Sequence, residues 1–106
     1  MITGDHHNNK LYHEGIEIPL ERSLKVRNHS PTGFNWGYHG SGPSQAAIAL
    51  LLHFGATNNE ALSWYQEFKR EIIANLPQED FTMEDIKVID WLAAKRLFVK
   101  ELGDET

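Results

Sequence analysis

The chain has no cysteine, which removes both a disulfide framework and any thiolate-based metal site. That absence fits a reducing compartment. Long hydrophobic runs are missing as well: the longest, Ala46 to Leu52, is far too short to span a bilayer. The opening residues, Met1-Ile2-Thr3-Gly4-Asp5-His6-His7, carry neither the cationic nor the apolar region of a signal peptide. The expected location is therefore the cytoplasm, with no membrane contact. Positive charge is scarce too. Lys and Arg number 10 against 15 Asp and Glu, a formal charge of −5. This argues against a module that binds duplex nucleic acid by neutralising phosphates, which needs a clustered basic face. Lys25 with Arg27, and Lys95 and Arg96 with Lys100, read as solvated faces. With 106 residues and no internal repeat or linker, the chain has room for one domain.

What is present alternates first and then turns helical. Residues 1–9 are polar and are expected to form a flexible arm, leaving residues 10–106 as the domain. In Leu11 to Ile18 the pair Glu14-Gly15 marks a turn, with Ile16 and Ile18 on one face. Pro19 ends that strand or sits on an edge. Ser23 to Arg27 alternates again, placing Leu24 and Val26 on one side. Ser44 to Phe54 is apolar nearly all round, the pattern of a helix in the middle of a core. Pro43 begins it, Ser41 or Gly42 caps it and Gly55 ends it. A second helix runs from Asn58 or Asn59 to about Leu76, with Ala61, Tyr65, Phe68, Ile72 and Leu76 at helical spacing. A third follows Thr82, which pairs with Asp85 in a capping-box arrangement, and has Ile86, Ile89, Ala93 and Leu97 as its inner stripe. The fold class expected is α+β: a small antiparallel N-terminal sheet packed against three helices.

Between sheet and helices lies Asn28-His29-Ser30-Pro31-Thr32-Gly33-Phe34-Asn35-Trp36-Gly37-Tyr38-His39-Gly40-Ser41-Gly42-Pro43-Ser44-Gln45. Irregular stretches this long inside a small domain are often functional. The block resembles the signature of the family DUF6166, Gly-Phe-x-Trp-Gly-Tyr-x-Gly-Ser-Gly-Pro-x-Gln followed by an Ala/Leu-rich helix. Trp64-Tyr65-Gln66-Glu67-Phe68-Lys69 is similar to its Tyr-Gln-x-Phe-Lys element, and Asn75-Leu76-Pro77 to its Leu-Pro ending. The likeness covers about Leu11 to Trp91. It departs at His39, where the family often has Gly, and in a longer tail from Lys95. The resemblance implies a family of unknown function, scattered among bacteria, archaea and their viruses or mobile elements, and supplies no catalytic residues.

Phe34, Trp36, Tyr38, His39, Gly40, Ser41, Gly42, Ser44 and Gln45 are the candidate ligand-binding residues. A flexible backbone and two hydroxyls at a helix N-terminus suit an anion, and the aromatics suit a stacked base. The motif is neither a Walker A loop nor a dinucleotide fingerprint. The competing reading is a tight turn whose glycines let the aromatics pack on the central helix. Six histidines, His6, His7, His13, His29, His39 and His53, follow no standard zinc spacing, so no metal site is expected. His53 would present its cation to a helix C-terminus. A hydrolase would combine Ser41 or Ser44 with His39 or His29 and Glu67, but no Gly-x-Ser-x-Gly elbow is present. Gln66 is expected to reach the Gly-rich loop and pin it.

Three functions remain open. The first is a non-enzymatic protein-binding module whose partner is another protein, with the acidic tail Glu101 to Thr106 and exposed aromatics as contacts. The family's distribution extends this to a viral or mobile-element protein that inhibits a host defence or regulatory protein. The second is a binder of a nucleotide or other anionic small molecule. The third is a small hydrolase or transferase. No cofactor is implied.

Overall fold

The computed structural model describes residues 1–104. The chain opens with three strands, β1 (Ile2–Asp5), β2 (Lys10–His13) and β3 (Ile16–Glu17). Helices α1 (Leu20–Val26), α2 (Ser41–His53) and α3 (Asn58–Glu71) follow, then a 3-10 turn at Ile73–Asn75. Strand β4 (Phe81–Met83) and helix α4 (Ile86–Asp104) complete it. The architecture is α+β: a four-stranded antiparallel sheet, ordered β3-β2-β1-β4, packed with four helices.

Several elements differ from the sequence expectation, each for a local reason. Residues 1–9 do not lie outside the fold. Ile2 is fully buried and β1 pairs with both β2 and β4, so it occupies the middle of the sheet. A side chain at Gly4 would run into Trp36 and Phe81, so the glycine is what allows these rings to lie on the strand. Ser23 to Val26 is helical, because Pro19, extended at φ −67°, starts α1; only Arg27, the C-cap, is extended. The alternation of Leu24 and Val26 is incidental to it. Ile16 and Ile18 do not share a face: β3 stops at Glu17, Ile16 is exposed and Ile18 is buried. The Glu14-Gly15 turn is as expected, with both residues at positive φ, 52° and 78°, in a two-residue hairpin loop.

Helix α2 is the core. Every residue from Gly42 to Leu52 is buried, as an all-round apolar helix requires. It begins two residues before Pro43, with Gly40 at the N-cap, and Pro43 sits in the first turn, where a missing N–H costs nothing. Thr57, rather than Asn58 or Asn59, caps α3 in a reciprocal box with Glu60. Ala61, Tyr65 and Phe68 face inward as expected.

The Thr82–Asp85 capping box does not form. Phe81-Thr82-Met83 is strand β4, buried-exposed-buried, and α4 starts only at Ile86. Nor is Ile86, Ile89, Ala93 and Leu97 the inner stripe: all four are exposed, and Val88 and Leu92 are the buried residues instead.

Candidate functional site

The Gly-rich loop is stitched into the body at almost every turn. The Phe34 N–H donates to the Asn9 carbonyl at 2.9 Å and the Gly37 N–H to that of Ile73 at 3.0 Å. The Gln78 amide donates to the Gly37 carbonyl at 2.9 Å, and the Trp36 indole N–H to the Glu79 carbonyl at 2.8 Å. Phe34 and Trp36 are buried, Trp36 edge-on to Phe81 with ring centroids 5.0 Å apart. Neither ring is available to stack on a base. Gly37 has φ +84°, and a Cβ there would lie 2.7 Å from the Leu76 carbonyl oxygen.

Gln45 is fully buried and uses both ends of its amide. Oε1 accepts the N–H groups of His29 (2.7 Å) and Ser30 (3.0 Å). Nε2 donates to the Ser23 hydroxyl (2.8 Å) and the Arg27 carbonyl (3.0 Å). One side chain of α2 thus closes the end of α1 and the start of the loop, leaving no capacity for a ligand. Ser44 donates its hydroxyl to the Gly40 carbonyl at 3.0 Å. Among the candidate residues, Tyr38, His39 and Ser41 are exposed. Tyr38, Ser41 and Gly42 border a polar hollow of about 250 Å³ with Asn9, Ser30, Thr32 and Asn35.

The groups of a hydrolase do not converge. His29 Nε2 meets the Tyr65 hydroxyl at 2.7 Å, and burial, with Arg27 and Lys69 nearby, pushes its pKa down. Glu67 is paired with Lys95 at 2.7 Å. Among the described residues no serine hydroxyl bonds to a histidine. Helix-to-loop pinning exists, but Tyr65 performs it through His29, while Gln66 donates to the Tyr65 hydroxyl at 3.1 Å.

The surface the sequence did not reveal is α4. It is fastened to α3 near its middle: Arg96 pairs with Glu60 (2.7 and 2.9 Å) and donates to the Gly55 carbonyl just before α3 (3.0 Å). The Trp91 indole donates to Glu71 at 2.5 Å, and its ring lies edge-on to Phe68. Several apolar side chains of α4 are only about half covered. Leu97 (58 % exposed), Phe98, Val99 and Leu102 are all open to solvent, as are Ile86 and Ile89. Helical geometry rotates about 100° per residue, so Leu97 and Val99 point to opposite sides of the helix. Phe98, Ala94 and Trp91 also line an open cleft of about 410 Å³ between α3 and α4. Of the acidic tail, Glu105 and Thr106 lie outside the described residues.

A second convergence joins the ends of four elements. His13, closing β2, and Asp85, just before α4, meet through Nε2 and Oδ2 at 2.8 Å. Glu14 Oε1 lies 3.8 Å from the same nitrogen. His53, closing α2, places Nε2 2.9 Å from His13 Nδ1. Burial first, and then the neighbouring His13, lower the pKa of His53, so it does not act as a cation at the helix end. The Met1 ammonium contacts Glu14 and faces Asp85 Oδ1 at 2.8 Å, an ion pair without hydrogen-bond alignment. That ammonium, followed by His13, holds the Asp85 carboxyl below its ordinary pKa. The sequence spacing hid this cluster because its bonded pair, His13 and Asp85, is 72 residues apart.

These features define a small α+β protein with a Gly-rich loop hydrogen-bonded into its body and a last helix whose apolar side chains are partly exposed. The chain belongs to the family of unknown function DUF6166, whose model matches residues 3–94. The match ends just before the overhanging turns of α4. No curated protein and no solved structure matches the chain. Among the described residues, no helix is long and apolar enough to cross a membrane.

Proposed function

We propose that the protein is a non-enzymatic protein-binding module whose docking element is the C-terminal half of α4. The observation that carries this is the set of half-exposed apolar side chains Leu97, Phe98, Val99 and Leu102, which spans about 200° of the helix. Apolar side chains of a helix are normally turned towards a core, whereas in α4 only Val88 and Leu92 are buried and the apolar residues of its C-terminal half are left open. Because the exposed side chains point to opposite sides, a flat face of a second copy covers only some of them. An apolar groove on a different protein, wrapping the helix, covers them all. At 19 residues α4 is about 28 Å long, and its last two turns carry the exposed apolar side chains. The extension to an inhibitor of a host defence or regulatory protein rests on the family's distribution alone.

The test is stoichiometric co-purification from host cells with paired variants. The double variant Leu97→Glu/Phe98→Glu is expected to lose the partner while Tyr38→Ala keeps it. A partner retained by the α4 variant contradicts the reading. A second reading, an anionic small-molecule binder, draws support from the polar hollow beside Tyr38 and Ser41. It predicts ligand-induced stabilisation that Ser41→Pro abolishes.

A further inference from the structure

We propose that His13, Glu14 and Asp85 form a binding site for a divalent first-row transition metal ion of the Zn²⁺ class, with His53 as the positioning residue behind it. The three side chains each offer one ligand atom, and these atoms lie within 4.8 Å of one another. Zn–N and Zn–O bonds of about 2.0–2.2 Å place neighbouring ligands roughly 3–3.5 Å apart. The His13–Asp85 separation of 2.8 Å and the His13–Glu14 separation of 3.8 Å bracket that range. Closing on an ion therefore needs side-chain adjustment only.

The sheet sets this geometry. Ile2 of β1 is the register partner of both His13 and Met83, so β2 and β4 flank it in one row. Asp85 follows Met83 by two residues, and Glu14 follows His13 directly. A mixed imidazole and carboxylate set favours Zn²⁺ and its neighbours, whereas Ca²⁺ and Mg²⁺ take oxygen ligands. The rear of His13 is also prepared. With Nε2 on the metal, the Nδ1–H would donate to His53 Nε2, which lies 2.9 Å away. A ligating histidine almost always has such a partner for its second nitrogen. In the metal-free protein the Met1 ammonium pairs with both carboxylates and offsets one of their two charges, and the divalent ion displaces it.

The test is equilibrium dialysis of the EDTA-stripped full chain against Zn²⁺, with Co²⁺ absorption as a coordination signature and metal-free melting curves as the folding control. One ion per chain is expected. Glu14→Gln, on an exposed turn, and Asp85→Asn should each weaken binding at least tenfold, and His53→Phe by about 10- to 100-fold with a changed Co²⁺ spectrum. His6→Ala/His7→Ala should bind as the parent does. Less than one equivalent on the parent chain, binding unchanged in Glu14→Gln/Asp85→Asn, or loss on removing His6 and His7 would each overturn the assignment.

Discussion

The Gln45 amide nitrogen donates to the Ser23 hydroxyl at 2.8 Å inside the core, joining α2 to α1. The same side chain holds Arg27, His29 and Ser30. Gln45→Leu keeps the volume but strands two backbone N–H groups and a carbonyl, while the Ser23 hydroxyl keeps its bond to the Leu20 carbonyl. Each unpaired buried group costs about 1–3 kcal/mol. A loss of about 3 kcal/mol or more is expected in urea unfolding, with α1 and the loop the first segments to gain hydrogen exchange.

Trp36 and Tyr38 should separate architecture from surface within one loop. Trp36→Ala removes a fully buried indole and its bond to Glu79, and should cost about 3–5 kcal/mol. Tyr38 is exposed, and Tyr38→Ala should cost about 1 kcal/mol or less. Thermal melts of the two variants give the comparison directly.

Sequence periodicity read the buried elements well and the short ones poorly. Ala46 to Leu52 announced a core helix because it is apolar in every direction, and Ala61, Tyr65 and Phe68 lie on one buried face. Helix α1 has seven residues, too few for a helical period to outweigh an accidental alternation. Strand β1 was obscured by Gly4, whose value is the space it leaves for Trp36 and Phe81. In α4 both sides carry apolar residues, so the pattern allowed two inner faces. Only packing into the core, with α2 the main helix beside it, selects Val88 and Leu92. The aromatic loop was legible as a special segment, but its role as a structural hub depends on Gln78, Glu79 and Ile73, which lie distant in sequence.

Acid should loosen the molecule in two stages. The His29 pKa is lowered in the folded state, chiefly by burial, so the unfolded chain takes up protons first and stability falls as pH drops below about 6.5. Glu60 is lowered from 4.5 to about 2, chiefly by its hydrogen bonds from Arg96. Its contribution is present above pH 4.5 and lost as pH falls towards 2. Arg96 is nearly half exposed, so solvent screening holds this contribution to about 1 kcal/mol or less. Glu60→Gln should flatten the lower stage and leave the upper one, as read by urea midpoints across pH.

Charge placed on the overhang of α4 should leave the fold intact. Leu97 touches no core residue that needs it, and Leu97→Glu should shift stability by no more than about 0.5 kcal/mol. Leu92→Ala, on the buried face of the same helix, should cost about 2–5 kcal/mol. Unfolding curves for the pair distinguish the two faces.

The central claim is that α4 enters a groove on another protein. A photo-crosslinking residue at position 98, compared with one at the exposed Ile16 on the far sheet edge, tests it most directly in host cells. The account predicts a discrete adduct with a different protein from position 98, none from position 16, and loss of the adduct when Leu97 and Val99 are changed to Glu. Equal adducts from both positions, or an adduct of only twice the 12.1 kDa chain mass, would contradict it.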